Sequence, residues 1–538
     1  MMITPQQFST SIRSLFPNGL PSKLAIALSG GVDSMCLTYL VSQYLKNQGM
    51  SPASVLAITI DHKLRKESSQ EAQAIGKYVT NTFGVKHLSY PLQWPKGYDT
   101  SSNNFEHSAR ILRYRAIRDI CGEKDITNLL TGHTRDDNIE TYILRSLREP
   151  RNPYFSEDSR SYGRYLANRV FGQCGIKSQS KFPLRDNAPP PSFNKIMVTR
   201  PLLEFSKSDL METCKNENIR WFEDPTNVDP EITERNKIRN DLKEMQPEVR
   251  KEKEQQILGR IQRSNGLVDN YHHEKNMIHE FLKQNYWITK NREISSISMK
   301  IPSDILFHST SPALNRLFFD LLESISPSTD YHYKFLKLSN LSEDLMSSAL
   351  SFEAEGVISP SEFLNMSFKY KKSSKRLSLT QEQKLDETFG YINCRHNRGT
   401  LVEIEISRQK MSRNDIQREH KCLAVLEEWS DHWIDYDNRF YFKFKENKRD
   451  DSGYYPNYVI RPFEIRQDKG RIKNQWGTKK SEGKNVDITD AVCKMANKYS
   501  IPILENIKTG QVIGFPPLYM HEPVLKELGL EWQVGYRE

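Results

Sequence analysis

The chain has 538 residues, of which 37% are hydrophobic, and its formal net charge is +9. Because a domain usually holds roughly 150 residues, this length predicts about three domains. The mean hydropathy is −0.68, and no stretch approaches the roughly 18 apolar residues that a membrane-spanning helix needs. The positive charge is compatible with a polyanionic partner but does not demonstrate one.

The cysteines are odd in number and never form a C-x-x-C pair. This pattern predicts a reducing compartment and argues against a disulfide framework or a zinc site. The seven residues are Cys36, Cys121, Cys174, Cys214, Cys394, Cys422 and Cys493.

The amino-terminal segment allows two interpretations. Residues 1–32 contain no acidic residue and are weakly amphipathic, as transit peptides are. The same spacing fits a first helix of the domain, which would pack Phe8, Ile12, Leu15 and Phe16 against a sheet.

Short apolar runs alternate with helical patterns from residue 24 onward. This alternation predicts an α/β fold with a doubly wound parallel sheet. The predicted strands cover 24–28, 54–60, 128–132 and 196–203, and the helices that follow them cover 34–46, 68–83, 136–148 and 206–217, respectively.

The rest of the chain shows changes of composition that suggest boundaries. A segment rich in Pro, Arg, Ser, Asn and Tyr predicts an inserted loop over 149–192. A charged helical region is predicted over 232–282, and Ser/Lys-rich stretches over 330–380 indicate connectors. The predicted domains are an α/β domain over 1–250, a helical and connector region over 251–385, and an α+β region over 386–538.

The stretch "SGGVDS" lies between the first predicted strand and its helix. Its glycines let the backbone turn tightly and present several N–H groups to an anion, with the helix dipole behind them. The loop has neither the Gly-Lys ending of a P-loop nor G-x-G-x-x-G spacing. The sequence therefore predicts a different phosphate-binding loop, made of Ser29, Gly30, Gly31, Val32, Asp33 and Ser34.

Three acidic residues lie at the start of the helix predicted over 136–148. Helical spacing places Asp136, Asp137 and Glu140 on one face with His133. Three carboxylates on one face are costly unless a cation lies against them. We expect that cation to be Mg²⁺ or a substrate amine, and a solvated surface cluster is the alternative.

Two arginines, Arg113 and Arg200, are candidate clamps for a carboxylate or a phosphate, since guanidinium matches both geometries. Either residue fits an ordinary surface position equally well. Ser206 and Asp209 form a capping-box pattern, so we assign them to helix initiation.

Aromatic residues alternate with lysines near the carboxyl end, over 439–448 and 454–480. Such a pattern could stack bases and contact phosphates. Alternating Phe and Tyr more often marks the buried side of a strand. The pattern therefore fits either nucleic-acid binding or a strand core.

Six motifs in chain order, from Ser29 to Leu242, resemble those of tRNA(Ile)-lysidine synthases, a family of PP-loop ATP pyrophosphatases. "SGGVDS" resembles the PP-loop itself. The other five are "ITIDHKLRKESSQEA" (58–72), "NNFEHSARILRYRAI" (103–117), "TGHTRDDNIETYILR" (131–145), "RPLLEFSKSDL" (200–210) and "WFEDPTNVDPEITERNKIRNDL" (221–242).

The resemblance implies a two-step reaction with ATP and Mg²⁺ as cofactors. ATP is cleaved between its α and β phosphates, and the AMP activates the position-2 oxygen of the wobble cytidine in tRNA(Ile) with a CAU anticodon. The ε-amine of free L-lysine then displaces AMP to give lysidine. The region 386–538 is expected to bind tRNA, and the family's distribution implies a mitochondrial location, with a bacterial cytoplasm as the alternative.

The resemblance also implies roles for individual residues. Asp33 and Asp137 are expected to hold the metal, and Asp61, His62 and His133 are expected to bind ATP together with the PP-loop. Arg235, Asn236 and Arg239 occupy family positions whose role, tRNA contact or bracing of the fold, stays open. The expected catalytic residues are Asp33, Arg113, Asp136, Asp137, Glu140 and Arg200.

Two other functions fit parts of this pattern. A PP-loop tRNA thiolase would need cysteines or an iron–sulfur site, and Cys36 is the one weak candidate. A catalytically inactive tRNA-binding protein is the second alternative. The chain departs from the family by a long insert after Arg148, by Lys63 in place of glycine, and by Asn138 in place of glutamine.

Overall fold

A computed structural model describes most of the chain, as two compact units, of which the first ends at Val268 and the second continues from Asp269. The described residues are 1–63, 68–94, 105–148, 170–183, 196–222, 234–323, 325–327, 345, 355–358, 366–389, 399–424, 429, 433–446, 457–476, 479–481, 484–486, 488–495, 498–521 and 530–536.

A six-stranded sheet forms the centre of the first unit. Its strands are β1 (Leu24–Ala27), β2 (Val55–Asp61), β3 (Lys86–Pro91), β4 (Asn128–Leu130), β5 (Gln179–Lys181) and β6 (Met197–Thr199). They lie in the order β3-β2-β1-β4-β6-β5, and every pair is parallel except β5 with β6. The predicted α/β fold with a parallel sheet is confirmed.

Helices cover both faces of this sheet. Alternate residues of β1 point to opposite faces, so Leu24 and Ile26 belong to one hydrophobic core and Ala25 to another. The helices of this unit are α1 (Pro5–Leu15), α2 (Val32–Asn47), α3 (Ser68–Phe83), α4 (Phe105–Glu123), α5 (Arg135–Arg148), α6 (Lys207–Asn216), α7 (Glu234–Glu244) and the first part of α8 (Pro247–Gln284).

Prolines account for two differences from the sequence predictions. The helical region predicted over 232–282 is two helices, α7 and α8, because Pro247 lacks an N–H and favours the first position of a new helix. The strand predicted over 196–203 ends at Thr199, since Pro201 cannot donate a hydrogen bond to a sheet.

The described part of the predicted insert, 170–183, is built into the sheet. Its strand β5 pairs with β6, so this part is not the loop that was predicted. The side chain of Asn138 accepts a hydrogen bond from the Ile176 N–H at 2.7 Å, and Arg145 donates to the Gly175 carbonyl at 2.9 Å. Two side chains of helix α5 therefore anchor this segment through its backbone. The segments 149–169 and 184–192 lie outside the described residues.

The second unit is rich in antiparallel strands, including the region predicted as helices and connectors. One five-stranded sheet has the order β7-β8-β11-β10-β9, made of β7 (Ile288–Asn291), β8 (Ser296–Pro302), β9 (Glu355–Ile358), β10 (Met366–Arg376) and β11 (Thr400–Arg408). The helices of this unit, besides the end of α8, are α9 (Ser303–His308), α10 (Ser311–Glu323), α11 (Leu379–Phe389), α12 (Arg413–Arg418), α13 (Ile465–Trp476) and α14 (Ile488–Lys494).

The described residues of the second unit form three further sheets, of five, three and two strands. Their orders are β12-β15-β18-β19-β20, β13-β14-β21 and β16-β17. The strands are β12 (Lys421–Ala424), β13 (Ile434–Tyr436), β14 (Phe440–Glu446), β15 (Asn457–Pro462), β16 (Lys479–Ser481), β17 (Lys484–Val486), β18 (Pro502–Asn506), β19 (Val512–Phe515), β20 (Met520–His521) and β21 (Leu530–Tyr536).

Strand β14 shows which interpretation of the aromatic and basic pattern holds there. Phe440, Phe442 and Phe444 are buried in one hydrophobic core, so these three rings are core and cannot stack on bases. Lys443 and Lys445 alternate with them, and their ammonium groups lie over tryptophan rings. The basic side chains of this strand therefore remain on its other face. Among the helices that the structure describes, none is long and apolar enough to cross a membrane.

Helix α1 packs on the domain, as the second interpretation of the amino terminus predicted. Thr4 caps the helix in a capping box with Gln7. Phe8 and Ile12 are buried in the same core as the inner side of α2. The Ser11 hydroxyl donates to the Pro201 carbonyl at 2.6 Å. These contacts make α1 a structural part of the first unit.

The packing of α1 can be tested with Phe8→Ala. Loss of this buried ring is expected to lower the free energy of unfolding of the first unit by about 3–5 kcal/mol. Gln6→Ala, on the exposed side of the same helix, should change it by less than about 0.5 kcal/mol. Chemical denaturation followed by circular dichroism measures both. Equal stability of the two variants would show that α1 does not contribute to the core.

Candidate active site

The loop between β1 and α2 is shaped by its glycines and serines. Gly30 has φ +86°, and a Cβ there would lie 2.4 Å from Cδ1 of Ile75, so only glycine fits. The Ser34 hydroxyl lies 3.1 Å from the Gly31 carbonyl and 3.2 Å from the Ser29 N–H. Gly31 is the N-cap of α2, which leaves the first amides of this helix facing the loop. This is the geometry expected of an anion-binding loop.

A second glycine, Gly132, lets the segment after β4 approach this loop closely. A Cβ on Gly132 would lie 2.9 Å from the carbonyl carbon of Asp33 and 3.1 Å from the Ser34 nitrogen. Backbone therefore packs on backbone at this point. Gly132 was not selected from the sequence, although a glycine directly after a strand is a signal for such an approach.

The acidic pair Asp137 and Glu140 is held by an arginine of the same unit. Arg239, on α7, contacts Glu140 through Nε at 2.6 Å and Asp137 through Nη2 at 3.3 Å. Burial raises the pKa of Glu140, and the charge of Arg239 opposes that rise. The sequence predicted Mg²⁺ or a substrate amine against these carboxylates, and the structure places the guanidinium of Arg239 there. This contact links α5 to α7.

Asp137 also caps α5. Its Oδ2 accepts hydrogen bonds from the Thr134 N–H and from the Thr134 hydroxyl, both at 2.9 Å. Its Oδ1 is the oxygen that pairs with Arg239. Both oxygens of this carboxylate are therefore engaged inside the protein. Nearby, Arg235 donates to the Thr141 hydroxyl at 3.0 Å, which supports bracing of the fold as the role of this family position.

Asp136 faces a different neighbour from the other two acids. Its Oδ2 accepts a hydrogen bond from the backbone N–H of Lys207 at 2.7 Å. Its Oδ1 lies 3.8 Å from Nη2 of Arg250, on α8. Asp136 therefore fixes the start of α6. Of the three predicted acids, Asp137 and Glu140 share Arg239, whereas Asp136 has different partners.

Asp33, on the first turn of α2, faces a lysine. The ammonium of Lys207 lies 3.5 Å from Asp33 Oδ2, and about 30% of the Asp33 side chain is exposed. Its Oδ1 is buried without a hydrogen-bond partner in the described part of the chain. Burial raises the pKa of Asp33, whereas the charge of Lys207 lowers it. Asp33 thus retains one oxygen available to a ligand.

Two of the predicted ligand-binding residues lie near the strand ends of β4 and β6. Burial, together with the charge of Arg200, lowers the pKa of His133 to about 4, so the imidazole is neutral at pH 7. Its Nδ1 lies 2.9 Å from the hydroxyl of Thr131. Arg200 donates to the Lys177 carbonyl at 2.8 Å and to the Ser180 hydroxyl at 3.0 Å. Its Nε is buried without a partner among the described residues.

Arg113, on α4, is half-buried, and its guanidinium lies 5.5 Å from the centre of the Tyr114 ring. The structure shows no phosphate or carboxylate partner for it among the described residues. Its predicted role as an anion clamp remains a prediction.

Asp61 organises the segment that follows β2. It is buried, which raises its pKa, but hydrogen bonds from Ser68 and Ser69 and from the Lys63 N–H outweigh this effect and lower the pKa to about 2. Both of its oxygens are thus engaged by this chain. Lys63 has φ +56°, a left-handed conformation that glycine adopts more easily. Lys63 therefore adopts the left-handed conformation at the position where the resembled family has glycine.

His62 follows Asp61 at the end of the same strand. Burial lowers the pKa of its imidazole, and the charge of Arg113 lowers it further. Its Nδ1 is buried without a hydrogen-bond partner in the described residues, while its carbonyl accepts from Nε1 of Trp94 at 2.8 Å. A neutral, unpaired ring nitrogen is available to a nucleotide, and contact with ATP remains a prediction.

Several residues of this site were missed by sequence reasoning. Lys207 lay within a recognised motif and Arg250 outside any, and neither was selected, because their partners Asp33 and Asp136 lie 174 and 114 residues earlier. Arg239 belonged to a recognised motif, but only the fold shows what it contacts.

The comparisons with known proteins agree with this geometry. Residues 4–153 and 172–246 match a family described as a PP-loop domain. The chain therefore carries a PP-loop domain, and the residues of the site described above lie within it, except Arg250.

Within this class the chain is similar to tRNA(Ile)-lysidine synthases. It is 32% identical over 238 residues to a probable tRNA(Ile)-lysidine synthase of Schizosaccharomyces pombe, covering 44% of this chain and 48% of that protein. It is also 32% identical over 224 residues to the tRNA(Ile)-lysidine synthase of Orientia tsutsugamushi, covering 41% and 42%. The resemblance predicted from the six motifs is confirmed over this domain. The chain spans about half the length of the curated relatives it matches.

Solved structures show weaker likeness. A U34-tRNA thiolase from Methanococcus maripaludis matches with a TM-score of 0.32 at 14% identity, over 48% of this chain and 79% of that one. An NH3-dependent NAD synthetase from Campylobacter jejuni matches with a TM-score of 0.26 at 13% identity, over 49% and 97%. Likeness at this level does not bear on function.

The close approach at Gly132 predicts a sharp contrast between two Gly→Ala variants. Gly132→Ala should destabilise the first unit by about 1–3 kcal/mol, because its Cβ meets the backbone of Asp33. Gly31→Ala should leave stability nearly unchanged, since a Cβ there meets only the Ser29 hydroxyl, at 3.6 Å. Thermal unfolding of both variants measures the difference. A Gly132→Ala variant as stable as Gly31→Ala would contradict the close packing of these two segments.

Proposed function

We propose that this chain is a tRNA(Ile)-lysidine synthase, which joins L-lysine to the wobble cytidine of tRNA(Ile) with a CAU anticodon and produces AMP and pyrophosphate. The observation that carries the proposal is the arrangement beside the PP-loop. There, Oδ1 of Asp33 has no hydrogen-bond partner among the described residues. Asp137, which shares Arg239 with Glu140, lies close enough to act electrostatically on Asp33, at the start of α2. Similarity to curated relatives over the first unit supports the same activity.

The loop suits the first step, activation of the cytidine oxygen by ATP. The first amides of α2 face the phosphates, and the helix dipole favours their negative charge. Attack of the cytidine oxygen on the α phosphorus forms a bond to AMP and releases pyrophosphate. The poor oxygen leaving group thereby becomes AMP, so that an amine can displace it. Positioning and orienting both substrates provides much of the rate enhancement of such a step.

Mg²⁺ fits one of its two predicted ligands better than the other. Asp33 has a buried oxygen without a partner in the described residues, as a carboxylate that holds Mg²⁺ through one oxygen would. Asp137 has both oxygens engaged, by Thr134 and Arg239. We therefore propose Asp33 as the main protein ligand. When bound, the ion neutralises charge on the phosphates.

The acidic pair suits the lysine amine. Oε2 of Glu140 is buried and has no hydrogen-bond partner in the described part of the chain, so it can accept from an ammonium or amine. The amine must lose a proton before it attacks, and a neighbouring carboxylate or water takes that proton. Arg200, whose Nε is buried without a partner among the described residues, is the better placed of the two predicted anion clamps for the carboxylate of lysine.

The proposal assigns tRNA binding to 386–538. Support comes from the basic side chains of β14, Lys443 and Lys445, which lie away from the core side of that strand. Phosphate contacts by such residues would give binding that weakens steeply with salt. The three phenylalanines of the strand take no part in this binding because they are buried.

Two alternatives are less well supported. A thiolase would need an accessible cysteine at the nucleotide site, whereas the four described cysteines of the first unit, Cys36, Cys121, Cys174 and Cys214, are all buried, and the exposed Cys422 belongs to the second unit. Among the described residues, no group of three or more His, Cys, Asp or Glu side chains could hold a metal ion. An inactive tRNA-binding protein has no need for a free buried oxygen on Asp33.

We also propose a mitochondrial location, with a bacterial cytoplasm as the alternative, because lysidine decoding in this family belongs to bacterial and organellar systems. Since Phe8 and Ile12 are part of the core, an import signal in this region would have to remain on the mature protein.

The experiment that tests the function is incubation of purified protein with tRNA(Ile), ATP, Mg²⁺ and isotope-labelled lysine. Mass analysis of the anticodon nucleosides should show cytidine carrying one labelled lysine. In a parallel reaction supplied with sulfide, a sulfur-containing nucleoside would support the thiolase, and unchanged tRNA with retained tRNA binding in both reactions would support the inactive protein.

Glu140→Gln and Asp137→Asn sharpen this test. Each should lower kcat/KM for lysine by about 10²–10³, as loss of a charged contact in a closed site does, while the dissociation constant for tRNA changes less than about threefold. Asp241→Asn, an exposed acid on α7, is the matched control and should match the unaltered protein. Equal losses for lysine and tRNA would mean that the pair is structural.

A further inference from the structure

We propose that Lys207 is an additional substrate contact, whose ammonium binds the pyrophosphate part of ATP. This inference rests on the proposed function, because it assigns a new residue to the same nucleotide site. Lys207 lies within the 200–210 motif, but the inference comes from the position of its side chain beside Asp33.

The backbone of Lys207 is fixed from two sides. Ser206 caps α6 in a capping box with Asp209, so Lys207 is the first residue of the helix. The N–H of Lys207 donates to Asp136 at 2.7 Å, and Asp136 is itself paired with Arg250. The start of α6 is thus anchored to α5 and α8 independently of the Lys207 side chain.

The Lys207 side chain, in contrast, is loosely held. Its ammonium lies 3.5 Å from Asp33 Oδ2, and 44% of the side chain is exposed. Within the described parts of the chain, Asp33 is the one carboxylate within ion-pair distance of it. An ammonium has three donors, so this lysine can bind further acceptors without moving its backbone.

The location of this ammonium identifies the kind of ligand. Asp33 is the second residue of α2, directly after the Gly30–Gly31 turn whose amides face the loop. An anion bound there by the helix amides would lie beside the Lys207 ammonium. Lysine binds phosphate as a compact point charge, so the Lys207 ammonium beside Asp33 is suited to a phosphate held by these amides.

The other nearby cation is less free to do this. Arg239 is held by two carboxylates of α5, Asp137 and Glu140, and although burial lowers the pKa of its guanidinium, these contacts raise it. A partly exposed ion pair such as Lys207 with Asp33 contributes only about 0–1 kcal/mol to stability. A purely structural lysine would therefore affect neither folding nor ligand binding much.

The test measures ligand binding directly, on the full-length protein with Mg²⁺, by calorimetric titration with ATP, inorganic pyrophosphate and AMP. Lys207→Met should weaken the binding of ATP and pyrophosphate by at least about tenfold and change AMP binding less than about twofold. Lys207→Arg should restore part of the affinity. Lys215→Met, an exposed lysine at the end of the same helix, is the control and should bind all three like the unaltered protein.

Lys207→Gln provides a second neutral variant, and thermal unfolding checks that each variant is folded. If Lys207→Met and Lys207→Gln bind ATP as tightly as the unaltered protein does, or lose AMP and ATP affinity equally, the inference is overturned and the proposed function stands. If the unaltered protein binds neither ATP nor pyrophosphate, both are overturned.

Discussion

The contact of Arg239 with Asp137 and Glu140 is the interaction on which the site depends. It joins α5 to α7 and places one positive charge against two carboxylates, of which Glu140 is only 4% exposed. Removing one partner of a buried pair typically costs about 3–5 kcal/mol, because the remaining charge is left without compensation. Both Arg239 and Asp137 act electrostatically on Asp33, whose Oδ1 is buried without a hydrogen-bond partner among the described residues. Arg239 thus holds Asp137 and one oxygen of Glu140. Oδ1 of Asp33 and Oε2 of Glu140 have no partner among the described residues and can bind a ligand.

Much of the fold followed from the sequence because local patterns determine it. Four strand and helix pairs alternate along the first unit, and parallel sheets need such crossovers. The PP-loop was recognisable because Gly30 must adopt a positive φ, which few other residues do. The short strand β5 was not predicted. It has only three residues, and its pairing with β6 depends on partners 16 to 20 residues further along the chain rather than on its own sequence.

The candidate site was predictable in its residues but not in their partners. Helical spacing placed Asp136, Asp137 and Glu140 together, yet it could not tell that Asp136 binds the start of α6 while the other two bind Arg239. Such contacts join elements more than 70 residues apart, and their geometry follows from tertiary packing. The same limit explains why Lys207 attracted no attention as an exposed lysine in a capping motif.

The most direct test of the account is whether ATP is cleaved between its α and β phosphates at this site. Exchange of labelled pyrophosphate into ATP measures the reverse of the activation step. The account predicts exchange that requires tRNA(Ile) and Mg²⁺, does not require lysine, and disappears in Asp33→Ala. Release of ADP and phosphate, with no exchange of pyrophosphate under any of these conditions, would contradict it.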